Sequence, residues 1–237
     1  MVSLIKYNIS YYVKSAKYLP PLICYAAFLA INYSSAPIGI WSNLHITAVA
    51  IFVLSSWIGV SFINCEDKTQ QYITMLHVKN ETIYHSSKIA AIIIFLIPFY
   101  LITIAMPIIG GWFARDILLS EVVVNIAVHF LVSLLGVSIG IFFNTDIFAA
   151  EPAMMMHLLV ISVVVVPLNV IFEDNLLVVY AYYLVPPVNF LAERWHRLGE
   201  GLFYIDYRFL IFVGLSLGYA LILITLYTAV IRRRNKR

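Results

Sequence analysis

The stretch LHITAVAIFVLSSWIGVSFIN, residues 44–64, decides the class of this protein. It runs for 21 residues without Asp, Glu, Lys or Arg. An α-helix rises about 1.5 Å per residue, so about 20 apolar residues cross the roughly 30 Å hydrocarbon core of a bilayer. The length of the stretch and its lack of charge therefore predict a transmembrane helix over Leu44–Asn64.

Five further apolar stretches lie on either side of this one and predict a bundle of six transmembrane helices. Only 11% of the chain is charged and 62% is hydrophobic, whereas about a quarter of a soluble domain is charged. We expect an all-α membrane protein with a single transmembrane domain over residues 1–237. The predicted spans are Leu19–Pro37, Leu44–Asn64, Ile89–Ile109, Glu121–Asn144, Ala153–Phe172 and Phe209–Ile231.

A seventh apolar run, Leu176–Leu191, is shorter and is interrupted by Pro186 and Pro187. If this run dips into the membrane and returns, 11 of the 15 basic residues lie on one side of the bilayer. Loops in the cytoplasm are rich in Lys and Arg. Charge therefore predicts a re-entrant extracellular region at 175–207, six crossings, and both termini in the cytoplasm.

Residues 1–18 predict a basic amphipathic helix and not a signal peptide. Lysines continue to Lys17, and no small-residue cleavage site follows an apolar core. We expect this helix to lie on the cytoplasmic leaflet and to lead into the first span. A loose polar tail is the alternative. The predicted apolar face consists of Ile5, Ile9, Tyr12, Val13 and Ala16.

The middles of the predicted spans hold no Asp, Glu, Lys or Arg, although ion-coupled transporters normally bury such residues for proton or cation relay. Polar residues such as Asn32 and His129 are more often hydrogen-bonding groups between helices. Small residues in the fourth span favour tight helix packing; they are Ser133, Gly136, Ser138 and Gly140.

Known catalytic motifs are missing from the sequence. It contains no phosphate-binding loop, no nucleophile elbow and no zinc-protease motif. Cys24 and Cys65 do not form a CxxC pair. We therefore expect no catalytic activity, no cofactor and no metal site in this chain. If the protein drives transport uphill, another chain must supply the energy.

The connection between the second and third spans, CEDKTQQYITMLHVKNETIYHSSK at residues 65–88, is long for a turn. It mixes charged residues with Tyr72, Met75 and Leu76. This pattern favours an extension of the second span, a short exposed helix, and a return into the third span. Such a helix is suited to insertion into a groove on a partner protein. A solvated loop is the alternative.

In this layout the whole chain resembles the permease subunits of ABC-2-type ABC transporters. Those subunits have an N-terminal amphipathic helix, six spans, a coupling helix between the second and third spans, and re-entrant extracellular helices before the sixth. The glycine and proline usual in the family's coupling loop are absent here, and Lys68 and Val78 stand near their places. Tyr183–Phe190 is similar to the family's proline-containing re-entrant segment. The residues that match the loop pattern are Glu66, Thr69, Met75, Leu76, Lys79, Ile83 and Lys88.

The resemblance implies a bacterial plasma-membrane complex of two permeases, either identical or paralogous, and two cytoplasmic ATPase subunits. The ATPases would bind ATP and Mg, and the coupling helix would lie in a cleft on the ATPase, with Lys79 near acidic groups at its rim. The ATPase contacts implied in this way are Thr69, Gln70, Tyr72, Met75, Leu76 and Lys79.

The small extracellular loops resemble those of permeases that export small peptides, including phenol-soluble-modulin exporters and bacteriocin or lantibiotic export and immunity permeases. The family's route, lined by the first, second and fifth spans, would be apolar and aromatic here. That favours amphipathic or hydrophobic peptides as cargo. The alternatives are export of another lipophilic cargo, such as a drug or a lipid-linked glycan, a non-transporting partner or sensor subunit, and a membrane-embedded enzyme.

Overall fold

The computed structural model describes residues 1–145 and 207–234, and within these residues the chain is all-helical apart from one isolated β-bridge. This agrees with the predicted all-α class. The predicted span Ala153–Phe172, the run Leu176–Leu191 and nearly all of the region 175–207 lie outside the described residues. The helices are α1 (Val2–Ser15), α2 (Leu19–Tyr33), α3 (Ile40–Ile63), α4 (Lys68–Val78), α5 (Glu81–Ile109), α6 (Leu119–Gly140) and α7 (Tyr207–Arg234).

Four of the described helices, α3, α5, α6 and α7, are long and apolar enough to cross a membrane. They coincide with the second, third, fourth and sixth predicted spans. Helix α2 is apolar but has 15 residues, which corresponds to about 22 Å. The first predicted span, Leu19–Pro37, is therefore shorter than expected. It ends at Tyr33. Pro37 disfavours a helical conformation at Ala36, so the helix does not continue to the predicted end.

Small residues allow α3 and α6 to approach closely. A Cβ atom added at Gly59 would lie 3.3 Å from the Cα of Gly140, and one added at Gly140 would lie 2.4 Å from the carbonyl oxygen of Ser56. Lipid tails are as apolar as leucine, so close van der Waals contact is what favours helix association in a bilayer. The tight packing predicted for the fourth span is confirmed at Gly136 and Gly140.

Replacing Gly140 by alanine is expected to lower the free energy of unfolding by about 1–3 kcal/mol. The new methyl group would overlap the backbone of α3, which cannot rotate away as a side chain can. Thermal unfolding in detergent measures the effect. Gly218→Ala in α7 is the matched control, because no described atom lies within 4 Å of a Cβ added there. Equal melting temperatures for the two variants would contradict the packing described for α3 and α6.

Two hydrogen bonds join helix α1 to α5 and to α3. The amide Nδ2 of Asn8 donates to Oγ of Ser87 in α5 over 3.1 Å. The hydroxyl of Tyr12 donates to Oγ of Ser61 in α3, also over 3.1 Å. The inner side of α1 is therefore fixed against the bundle and does not lie free on a membrane surface.

Only part of the predicted apolar face of α1 packs against the bundle. Val13 and Ala16 are exposed, whereas Asn8 is buried. Ala16 adopts a left-handed conformation that ends α1, so it leaves the helical row. Asn8 is buried at little cost because its amide has a hydrogen-bond partner. The residues of the predicted face that do turn inward are Ile5, Ile9 and Tyr12.

Two capping side chains separate α4 from its neighbours. The carboxylate of Asp67 accepts the Thr69 N–H over 2.8 Å at the start of α4, and the Asn80 side chain accepts the Ile83 N–H over 3.2 Å at the start of α5. Between them Lys79 adopts a left-handed conformation and ends α4. The short exposed helix predicted within residues 65–88 is confirmed, since no residue of α4 is buried.

The bundle has two distinct ends. At the end that we call the far end, the Ile38 N–H donates to the Trp112 carbonyl over 2.9 Å, which joins the loop before α3 to the loop after α5. There the buried Glu121 carboxylate is held by the Arg115 guanidinium, with Nη1 2.9 Å from Oε2. The other end, which we call the basal end, contains α1, α4 and the first turns of α5.

Candidate functional site

A buried ion pair lies at the basal end of the bundle. Oε2 of Glu66 is 2.8 Å from Nζ of Lys88, and each side chain is only 3% exposed. Glu66 follows the end of α3, and Lys88 lies two turns into α5. Removing a charge from water costs several kcal/mol, so a buried charge requires a partner and further hydrogen bonds. The ion pair therefore ties the end of α3 to the start of α5.

The Glu66 carboxylate accepts hydrogen bonds from three helices. The Tyr84 hydroxyl of α5 donates to Oε2. The hydroxyls of Tyr7 in α1 and Thr74 in α4 donate to Oε1, each over 3.1 Å. The Nζ atom of Lys88 also lies 4.8 Å from the centre of the Tyr84 ring, a favourable cation–π contact. We call Glu66, Lys88, Tyr84, Tyr7 and Thr74 the Glu66 cluster.

The electrostatics of the Glu66 cluster favour the ionised carboxylate. Burial alone would raise the pKa of Glu66, but the Lys88 ammonium and the hydrogen bonds from Lys88, Tyr84 and Tyr7 outweigh it and hold the pKa below its ordinary value. A carboxylate surrounded by a cation and hydroxyl donors is stabilised in its charged form. Glu66 is therefore a fixed negative charge at neutral pH, and Lys88 neutralises it.

The inner side of α4 is held by polar contacts. The Thr74 hydroxyl reaches Glu66 as described, and the Gln70 amide Nε2 donates to the Tyr7 hydroxyl over 3.1 Å. Since Tyr7 itself donates to Glu66, these bonds join α4, α1 and the ion pair into one network. A displacement of α4 would therefore move Glu66 and the end of α3.

The outer face of α4 is apolar and exposed. Tyr72 and Leu76 are 66% and 65% exposed, and Ile73 beside them is 45% exposed. These positions are three to four residues apart or adjacent, so they form one patch on the helix surface. We call Tyr72, Ile73 and Leu76 the outer face of α4. Contiguous exposed apolar side chains on a short polar helix are typical of a surface that contacts another protein.

The structure divides the six sequence-predicted contact residues into two groups. Those at the surface are Thr69, Tyr72, Leu76 and Lys79, and the first three of these share one side of α4. Gln70 and Met75 are half-buried, and Gln70 bonds to Tyr7 within the chain. Lys79 marks the end of the helix.

An open groove of about 580 Å³ separates α1 from α4. Tyr7, Gln70 and Thr74 contribute its polar part, so the groove lies directly beside the Glu66 cluster. The remaining wall is largely apolar and is formed by Met1, Leu4, Val78 and Ile83, together with Ser3 and His77. Ile73 also lines the groove, because it lies at the edge between the groove and the outer face of α4.

The sequence predicts Glu66 and Lys88 only as separate matches to the family's loop pattern. It does not predict an ion pair between them. One signal was present: Lys88 directly precedes an apolar run, where a buried cation needs a counter-charge. Tyr84 lies one turn before Lys88 on the same helix. No spacing pointed to Tyr7, which lies 59 residues before its partner Glu66.

Polar residues within the spans bond helices to one another. Nε2 of His129 in α6 lies 3.1 Å from Oγ1 of Thr47 in α3, and Nδ2 of Asn32 in α2 donates to Oδ1 of Asn43 in α3 over 2.9 Å. The expectation that His129 and Asn32 are helix–helix hydrogen-bonding groups is confirmed. Within residues 1–145 and 207–234, no group of three His, Cys, Asp or Glu residues is placed to hold a metal ion.

No protein-family model, curated protein or solved structure matches this chain. A proposal for the function must therefore be based on the geometry of the basal end.

Proposed function

We propose that this chain is the membrane-spanning permease subunit of an ATP-driven ABC transporter, similar to ABC-2-type permeases. One observation carries the proposal: the exposed apolar outer face of α4 is joined through the Glu66 cluster to helices that are long enough to span a membrane. A separate ATPase subunit would bind α4, and would bind ATP and Mg. The complex would contain a second permease, either an identical copy or a paralogue.

Movement of α4 would reach the spans through the Glu66 cluster. An ATPase that closes on ATP would push the outer face of α4, and Thr74 on the inner side would pass the displacement to Glu66. Glu66 would pass it to Lys88 in α5. ATP drives such a change only if the ATP-bound ATPase favours one arrangement of the bundle over the other.

Charge supports a cytoplasmic location for the basal end, with six crossings and a re-entrant region at 175–207. Among the described residues, the basal end has nine basic residues (Lys and Arg) and three acidic residues (Asp and Glu). The far end has two basic and two acidic residues. Loops rich in Lys and Arg stay in the cytoplasm. The basal residues are Lys6, Lys14, Lys17, Lys68, Lys79, Lys88, Arg232, Arg233, Arg234, Glu66, Asp67 and Glu81, and the far residues are Arg115, Arg208, Asp116 and Glu121.

Cysteine labelling tests this orientation. In a background with Cys24→Ser and Cys65→Ser, we expect Asp116→Cys to react with a membrane-impermeant maleimide in intact bacterial cells. Lys6→Cys should react only after permeabilisation. Both positions are exposed, so the membrane alone should separate them. Labelling of Lys6→Cys and protection of Asp116→Cys in intact cells would reverse the proposed orientation.

The proposed cargo is a small amphipathic or hydrophobic peptide that is exported. In the four described helices that could cross a membrane, Asp, Glu, Lys and Arg occur only near the ends. A path along the middle of such helices has no charged side chain that could bind a charged solute. Another lipophilic cargo, such as a drug or a lipid-linked glycan, would fit the same uncharged path and is the second candidate.

Co-purification tests the permease proposal. The chain is expressed with an ATPase encoded beside it and purified through a tag on the permease. We expect the ATPase to be recovered in equal amount, and a candidate peptide to raise the ATPase rate of the reconstituted complex. If no ATPase is recovered, the transporter proposal fails, and a non-transporting membrane partner or sensor becomes the better assignment.

A further inference from the structure

The outer side of α1 carries a row of positive charge. Lys6, Ser10 and Lys14 follow one another at intervals of four residues, so they lie along one side of the helix, and all three are exposed. The sequence of α1 contains no Asp or Glu. Within the part of the chain that the structure describes, Lys6 and Lys14 form no ion pair. We call Lys6, Ser10 and Lys14 the basic row.

An apolar edge lies directly beside the basic row. Val2 and Val13 are 81% and 44% exposed. Lys6 lies about one turn after Val2, and Val13 lies about two turns after Lys6. The three residues therefore lie on the same side of the helix. Ile23, in the second turn of α2, is 63% exposed. A helix with an apolar edge next to lysines lies at the boundary between hydrocarbon and lipid headgroups.

The bundle holds α1 in one orientation. Asn8 and Tyr12 bond its inner side to α5 and α3. In the turn after α1, Nζ of Lys17 donates to the carbonyl of Asn64 over 3.3 Å. Only the outer side of α1 therefore remains available to lipid, and the positions of Lys6 and Lys14 are set before any lipid binds.

We propose that the basic row binds anionic phospholipids in the leaflet at the basal end of the bundle. The net negative charge of such a headgroup complements two lysines that form no ion pair with a described carboxylate. A zwitterionic headgroup has no net charge to offer. Each lysine near an anionic membrane surface strengthens association by about fivefold. This proposal does not depend on the identity of the ATPase partner or on transport.

Native mass spectrometry of the full chain in neutral detergent tests the proposal by titration with phosphatidylglycerol or phosphatidylcholine. We expect the wild type to bind phosphatidylglycerol more tightly. Lys6→Gln combined with Lys14→Gln should weaken that binding by roughly 25-fold, about fivefold for each lysine. Binding of phosphatidylcholine should not change. Lys6→Arg with Lys14→Arg keeps both charges and should bind like the wild type.

Equal binding of the two lipids by the wild type would overturn the proposal, as would an unchanged preference in the glutamine variant. Inorganic phosphate serves as a competitor, and displacement of phosphatidylglycerol by it would mean that the row binds free anions. A second measurement needs no variant. Phosphatidylglycerol should raise the melting temperature of the wild type more than phosphatidylcholine does, and equal shifts would contradict a specific lipid site.

Discussion

Replacing Lys88 by methionine is expected to lower the free energy of unfolding by about 3–5 kcal/mol, because the Glu66 carboxylate would remain buried without its cation. Methionine keeps most of the apolar stem of lysine, so the loss reports on charge more than on packing. Equilibrium unfolding in mixed micelles measures the change. The substitution should also weaken the bonds that join α4 to the spans, since Glu66 would no longer be fixed by α5.

The double variant Glu66→Gln with Lys88→Met is the control for this prediction. It removes both charges; the glutamine oxygen can accept from the Tyr7 hydroxyl, and the glutamine NH2 can donate to the oxygen of Tyr84. It should recover most of the lost stability, and the difference from the sum of the single variants measures the coupling. If Lys88→Met alone is as stable as the wild type, the ion pair is not buried in the folded protein.

The same carboxylate predicts a dependence on pH. The folded protein holds the pKa of Glu66 below its ordinary value of 4.5. A group of this kind stabilises the fold at pH values above its unfolded pKa, and that contribution is lost as the pH falls through the lowered folded pKa. Between pH 7 and acid conditions below 4.5, the wild type should therefore lose more stability than Glu66→Gln. Parallel profiles for the two proteins would contradict the lowered pKa.

Exchanging both Tyr72 and Leu76 for aspartate is expected to abolish recovery of the ATPase and to leave the melting temperature of the permease unchanged. Both side chains are about two-thirds exposed, so the fold loses little. At an interface they would be buried, and loss of an interface anchor costs about 2 kcal/mol or more. Two such losses weaken binding by roughly a thousandfold.

Tyr72→Phe with Leu76→Met is the matched control, because it keeps the apolar surface of the outer face of α4. This variant should recover the ATPase as the wild type does. A melting temperature that falls in the aspartate variant would show that the residues support the fold. Full recovery of the ATPase with the aspartate variant would remove α4 from the docking surface and leave the groove beside α1 as the next surface to test.

Most of the described fold could be predicted from local pattern. The charge-free stretch at 44–64 is long enough to cross a bilayer, and it lies almost wholly within α3 (Ile40–Ile63). The boundaries around α4 also follow from single residues. Asp67 and Asn80 accept backbone N–H groups that a helix end leaves without partners. Such features depend on neighbours within one turn of the chain, so the sequence alone determined them.

The tertiary structure decided which residues of different helices meet. The hydrophobic pattern put Val13, and not Asn8, on the apolar face of α1, but the helix is rotated so that Asn8 reaches Ser87. Glu66 and Lys88 are likewise drawn together from opposite ends of the α4 segment. Helix rotation is set by packing and by the need to satisfy buried polar groups, and neither is encoded in spacing along one helix. The sequence by itself therefore determined the all-helical class of the protein and the approximate positions of its described helices. Only the packed bundle determined the Glu66 cluster and the side of α1 that is turned away from the other helices.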